Sequence, residues 1–237
     1  MRIHAFESFA AADGPGVRSS IFVSGCPFRC RYCHNPETWA RTAAFEMTAA
    51  QALERLLPYR PYWGDLGGIT VSGGEPMLQA AEVAELFRLA HAAGVSTCLD
   101  TAAGCFDLAN REIRTLLGEA DTVLLDVKLF DRTGHIALTG ADNAPVLACA
   151  RHLAERNVPV WIRRVLVPGL TDAPDDLRAT AQFIQTLPNV QRIEVLPYTS
   201  LGVHKWHALG LPYTLEDAQT PTTDEITAAE AILRGTV

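Results

Sequence analysis

The residues in this chain with the clearest chemistry are three cysteines in one short stretch, Cys26-Pro27-Phe28-Arg29-Cys30-Arg31-Tyr32-Cys33-His34-Asn35-Pro36. Thiolates separated by three and then two residues can fold round one iron–sulfur cubane, each binding one iron. A cubane with three protein ligands keeps its fourth iron open, and an open coordination position permits chemistry at a metal. The other reading is structural zinc, with His34 or a distant residue as fourth ligand. Zinc sites usually pair two Cys-x-x-Cys knuckles, and the chain has no second pair. Cys98, Cys105 and Cys149 have no ligand spacing and read as small core residues.

Further candidates stand in apolar surroundings. Lys128 follows the run Val123-Leu124-Leu125, where a lysine needs either an anionic partner or exposure at the end of a strand. Arg163 precedes Arg164, and strand alternation sends one of the two outward. Gly73 and Gly74 lack side chains, so backbone can approach a ligand closely there, or simply turn from strand to helix. Glu75 is hard to explain in such a turn. Asp13-Gly14-Pro15-Gly16 is a flexible-then-rigid string that by itself reads as a surface loop.

The elements that must position these residues alternate between short apolar runs and longer amphipathic ones. Strands are expected at residues 20–23, 68–71, 95–99, 122–127, 160–167 and 191–196. Helices are expected at 49–58 behind a Thr48 N-cap, at 78–93 closed by Gly94, and at 108–117, 144–155 and 174–187. Such alternation implies an α/β fold with a parallel sheet and right-handed crossovers. Six units are too few for a closed eight-stranded barrel, so a partial, TIM-like (β/α)6 barrel in one domain over residues 1–237 is expected. The tail from Leu201 is expected to wrap the barrel before a last helix near 224–233.

In parallel α/β folds, chemistry gathers at the C-terminal ends of strands. Cys26 follows the first strand, Gly73-Gly74-Glu75 the second, Asp100-Thr101 the third, Asp126 and Lys128 the fourth and Tyr198-Thr199 the sixth, with Arg163 inside the fifth. Asp100 and Asp126 would then crowd two carboxylates together, which is costly unless a cation or proton intervenes. The alternative is that Asp126 pairs with Lys128 or Arg163.

The net charge of −7 argues against a nucleic-acid partner, because phosphate binding needs a basic face. No segment has the roughly 18 apolar residues of a membrane span, and the N-terminal residues do not form a secretion signal. A cytoplasmic protein with no membrane association is expected. In a reducing compartment, clustered cysteines favour a metal or cluster over disulfides.

At the cysteine loop the sequence resembles the radical S-adenosylmethionine superfamily. The defining motif of that superfamily is Cys-x3-Cys-x2-Cys with an aromatic residue before the last cysteine, a position that Tyr32 fills. The resemblance implies a [4Fe-4S] cluster on Cys26, Cys30 and Cys33 whose open iron is chelated by the amino and carboxylate groups of S-adenosylmethionine. One electron then cleaves the C–S bond to give methionine and a 5′-deoxyadenosyl radical. Further motifs narrow the likeness to the glycyl-radical-enzyme activating family: Asp13-Gly14-Pro15-Gly16-Val17-Arg18, Tyr32-Cys33-His34-Asn35-Pro36-Glu37-Thr38-Trp39, Ser72-Gly73-Gly74-Glu75, Leu125-Asp126-Val127-Lys128, Val160-Trp161-Ile162-Arg163, Leu196-Pro197-Tyr198 and His204-Lys205-Trp206. The likeness runs from about residue 2 to the end of the chain.

What the resemblance implies can be stated residue by residue. Tyr32, Cys33, His34, Gly74, Asp126, Val127, Lys128, Arg163 and Thr199 would contact S-adenosylmethionine. Asp100, Thr101 and Asp126 would hold a monovalent cation, Na+ or K+. Asp13 and Gly14 would belong to the lip that receives the glycine loop of a protein substrate. Thr199 departs from the family pattern, which has a histidine after Leu-Pro-Tyr; a hydroxyl can donate one hydrogen bond but supplies no imidazolium. His204 is a candidate substitute. Residues 34–97 contain no cysteine, so the ferredoxin-like insert of many relatives is missing. That implies the branch acting on pyruvate formate-lyase, with a low-potential donor such as flavodoxin and a role in anaerobic pyruvate metabolism. The competing readings are an activase of another glycyl-radical enzyme and a non-catalytic electron-transfer protein.

Overall fold

The computed structural model describes residues 1–236. The chain runs β1 (Arg2–Ala10), β2 (Arg18–Val23), β3 (Phe45–Glu46), α1 (Ala49–Leu56), β4 (Gly68–Gly73), α2 (Ala80–Ala92), β5 (Ser96–Thr101), α3 (Arg111–Gly118), β6 (Thr122–Asp126), α4 (Arg132–Thr139), α5 (Ala144–Glu155), β7 (Val160–Leu166), α6 (Pro174–Ile184), β8 (Val190–Pro197), α7 (Val203–Ala208) and α8 (Thr223–Arg234).

The strands form one eight-stranded sheet in the order β3-β1-β2-β4-β5-β6-β7-β8. From β2 to β8 all pairings are parallel, so six parallel strands form an unclosed barrel, as expected from the alternation of patterns. β1 and β3 extend the sheet as antiparallel strands that were not expected. β2, β4, β5 and β6 are buried along nearly their whole length, whereas β8, at the edge of the sheet, is mostly half-buried or exposed. Ile69, Val71, Leu99, Val123, Leu125 and Ile162 pack outward into one core with the helices. The alternate residues, Ser72, Asp100, Asp126 and Arg163, line the inner face.

The helix boundaries follow their local chemistry. Thr48 caps α1 with a full capping box, accepting from Gln51 N at 3.2 Å while Gln51 reaches back to Thr48 N at 2.9 Å. Gly94, at φ +68°, ends the α2 segment as expected. α4 was not expected; it is a short helix with Asp131 as N-cap and left-handed Gly140 closing it.

Candidate functional site

The C-terminal ends of β2, β4, β5 and β6, together with the inward face of β7 and the segment after β8, surround a cleft of about 360 Å³. Cys26, Cys30 and Cys33 all border it, with Tyr32, His34, Gly74, Asp100, Thr101, Asp126, Lys128, Arg163 and Thr199. Residues far apart in the sequence thus converge where a parallel sheet places chemistry.

The cysteine loop is held by backbone contacts. Gly25 N donates to Thr38 O at 2.7 Å, and the N–H groups of Arg29 and Arg31 donate to Thr139 O (2.7 Å) and Leu138 O (3.0 Å) at the end of α4. The Arg29 guanidinium donates to Cys26 O at 2.8 Å and stands 5.0 Å from the Trp39 ring centroid. The C-terminal segment grips the same loop. Trp206 Nε1 donates to Cys33 O at 2.9 Å, and Lys205 Nζ lies 2.7 Å from both Asn35 Oδ1 and Glu37 Oε1.

Gly73 and Gly74 serve packing before they serve a ligand. Gly73 has φ +109°, and a Cβ there would lie 2.4 Å from Val23 N. A Cβ on Gly74 would lie 2.2 Å from Gly25 O, so any side chain would push the cysteine loop off the end of β4. Glu75, puzzling in the sequence, is fully buried and ties the ends of β4 and β5 together. Its carboxylate accepts from Thr101 Oγ1 (2.6 Å), Ala102 N (3.1 Å) and Met77 N (3.1 Å). Burial pushes this carboxyl up to about 7 against those hydrogen bonds.

Burial also pushes the Cys26 and Cys30 thiols up to about 12 and raises Cys33, while the Lys128 charge opposes the rise at Cys30. Coordination to a metal is what deprotonates thiols held this high. Lys128 Nζ pairs with Asp126 Oδ2 at 2.5 Å and stands 5.7 Å from the Tyr32 ring centroid. Burial works against its charge, yet Asp126, Tyr32 and Cys30 hold it well above the ordinary lysine value. Of the two adjacent arginines, Arg163 turns into the cleft, 3.3 Å from Asp100 Oδ1. Arg164 turns outward to Asp176 (2.8 Å) and Thr171 O (2.6 Å). Asp176 in turn accepts from the backbone of Phe130 (3.0 Å) and Asp131 (2.6 Å), which steadies the loop carrying Lys128.

Four expected residues lie outside the cleft lining. Val127 is buried in the core, with its N–H donated to Arg163 O at 2.9 Å. Asp13 and Gly14 sit on the inner face of the sheet, where Asp13 Oδ2 accepts from Ser20 Oγ at 2.6 Å. His204 turns its Nδ1 to Leu201 O at 2.8 Å and does not border the cleft. The three groups expected to share a cation have separate partners: Asp126 pairs with Lys128, Asp100 with Arg163 and with Ser72 Oγ (2.6 Å), and Thr101 with Glu75.

The donor set fits the group that the motif implies. Among the described residues no three His, Cys, Asp or Glu side chains converge on a point that could hold a single metal ion. Three thiols nonetheless border one cleft, as a polynuclear cluster requires. Arg163 Nε and the Tyr32 hydroxyl are buried without a hydrogen-bond partner, and both residues border that cleft. Cationic Lys128 and Arg163 on one wall suit a ligand bearing a carboxylate.

The chain belongs to the radical SAM superfamily, whose family model matches residues 20–184. Within it, the chain falls among the pyruvate formate-lyase-activating enzymes. It is 45% identical over 232 residues to the pyruvate formate-lyase-activating enzyme of Staphylococcus epidermidis, covering 96% of this chain and 92% of that protein. It is 45% identical over 236 residues to the enzyme of the same name from Streptococcus mutans, covering 98% and 90%. Solved structures agree on the fold. A domain of pyruvate-formate lyase-activating enzyme from Bacteroides vulgatus superposes with TM-score 0.58 at 24% identity over 71% of this chain and 94% of that one. Streptococcus suis SuiB bound to S-adenosylmethionine gives 0.60 at 17% identity over 73% of this chain and 38% of that one.

Proposed function

We propose that the chain activates pyruvate formate-lyase by generating a glycyl radical on it, using a [4Fe-4S] cluster and S-adenosylmethionine. The observation that carries the reading is the convergence of Cys26, Cys30, Cys33, Lys128 and Arg163 on one cleft, in a chain related over its length to enzymes of that name. Held by Cys26, Cys30 and Cys33, a reduced cluster would supply one electron for cleavage of the sulfonium C–S bond of S-adenosylmethionine, and the cofactor would supply the hydrogen-abstracting group for a glycine Cα.

The chain's own residues bind, orient and exclude water. Cys26, Cys30 and Cys33 hold the three protein-ligated irons. Lys128 and Arg163, with Tyr32 and His34, border the cleft and would hold the cofactor's carboxylate. Gly74 leaves backbone exposed to its amino-acid end. The Thr199 hydroxyl, at the cleft, offers one hydrogen bond. Phe28, Trp39 and Tyr198 border the same cleft and keep water from a reactive carbon centre. A monovalent cation, Na+ or K+, belongs to the reading beside Asp100, Thr101 and Asp126, which border one cleft and would bring two carboxylates to it. Asp13 and Gly14 would meet the partner's glycine loop. Flavodoxin as electron donor, a cytoplasmic location and a place in anaerobic pyruvate metabolism complete the reading.

The test mixes the reconstituted, reduced protein with S-adenosylmethionine and pyruvate formate-lyase under anaerobic conditions. The expected result is a glycyl doublet in the electron paramagnetic resonance spectrum. Cofactor cleavage without the doublet would point to a different substrate.

A further inference from the structure

Lys128 lies just beyond β6, in the segment 128–131, which belongs to no helix or strand. Backbone polar groups there find no ladder and need partners from elsewhere. Two side chains supply them. Asn143 Nδ2 donates to Phe130 O at 2.7 Å and to Leu129 O at 3.3 Å. The Asp176 carboxylate takes the opposite groups, accepting from Asp131 N at 2.6 Å and Phe130 N at 3.0 Å.

Asp176 stands in the first turn of α6, a helix whose N-cap position makes no side-chain hydrogen bond. A carboxylate there could serve its own helix. This one is turned to the loop, and Arg164 holds it in that direction. The Arg164 guanidinium lies 2.8 Å from Asp176 Oδ2 and donates to Thr171 O at 2.6 Å and Thr180 Oγ1 at 3.3 Å. Both side chains are buried. A buried ion pair adds little to stability over apolar side chains of similar volume. What this pair contributes is orientation, because a planar fork of donors fixes the carboxylate it binds. Neither Arg164 nor Asp176 borders the cleft, yet Arg163, the neighbour on β7, does. One strand thus sets both cations of the cleft, Arg163 directly and Lys128 through Arg164 and Asp176.

We infer that Asp176 is a positioning residue for S-adenosylmethionine binding: oriented by Arg164, it fixes the backbone of residues 128–131 and thereby places the Lys128 ammonium on the cleft wall. This role rests on the function proposed above and adds to it two residues that the cofactor would not touch. Lys128 is itself buried and paired with Asp126 at 2.5 Å. In such close packing a change of rotamer does not make good a shifted backbone.

The test is a double-mutant cycle on the anaerobically reconstituted protein, read as S-adenosylmethionine affinity by titration and expressed per cluster. Asp176→Asn is expected to weaken binding about tenfold in the unaltered background and to have no further effect in a Lys128→Ala background. Cluster iron content should stay near that of the unaltered chain. Arg164→Lys keeps the charge and gives up the planar fork; it should show the same coupling to Lys128, and it keeps the test decisive if Asp176→Asn does not fold. Unchanged affinity in the single variants would overturn the inference. So would an equal loss with and without Lys128, because a merely structural role would not act through that residue. An unaltered chain that holds its cluster but binds no S-adenosylmethionine would instead sink the proposed function, and this inference with it.

Discussion

Trp206 Nε1 donates to Cys33 O at 2.9 Å, joining residues 173 positions apart. The indole also packs edge-on against Trp39 at 4.9 Å and Tyr213 at 5.1 Å between ring centroids. Through this contact the C-terminal tail becomes part of the support of the cysteine loop. Trp206→Phe keeps most of the ring packing and removes the donor. It is expected to lower stability by about 1 kcal/mol and to speed iron loss to a chelator. Unchanged chelation kinetics would show that the tail does not steady the loop.

Lys128 and Asp126 are neutralised by each other deep in the cleft. Lys128→Ala strips a cation from the wall expected to face the cofactor carboxylate and leaves Asp126 without its partner. S-adenosylmethionine affinity, measured by titration, should fall about tenfold or more, while iron content stays near normal. Equal binding in both proteins would take Lys128 out of the site.

Glu75 gives a pH dependence with a definite sign. Its folded carboxyl is pushed up to about 7 by burial, from an ordinary value of 4.5. Between those values the native state binds the proton more tightly than the unfolded state, so the Glu75 contribution to stability is complete below 4.5 and lost as pH rises through 7. The stability difference between the unaltered protein and Glu75→Gln should shrink over that window, by at most ~1.4 kcal/mol per pH unit. Denaturant titrations at several pH values check it; a constant difference would mean that Glu75 keeps an ordinary carboxylate pKa.

Much of this architecture is legible in the chain because it is local. The central parallel strands announce themselves as apolar runs, being buried on both faces, and polar residues that interrupt or end them, such as Asp126 and Arg163, border the cleft. β1 escapes notice because its residues are mostly half-buried and it runs antiparallel at the side of the sheet, so no continuous apolar run marks it. α4 hides because it is short and contains Gly134; its caps and its packing under the cysteine loop sustain it. Glu75 resists reading because its partners Thr101 and Ala102 come from the next strand. The same holds for Trp206, whose role depends on a contact with no signature in neighbouring residues.

The central claim is a cluster with three cysteine ligands and one open iron that S-adenosylmethionine occupies. The most direct measurement is electron paramagnetic resonance on the anaerobically reconstituted, reduced protein, before and after adding S-adenosylmethionine, with Cys30→Ala alongside. The account predicts a [4Fe-4S]+ signal that changes shape on addition of the cofactor and is missing from Cys30→Ala. A cluster signal indifferent to the cofactor, or a protein that takes up zinc in place of iron, would contradict it.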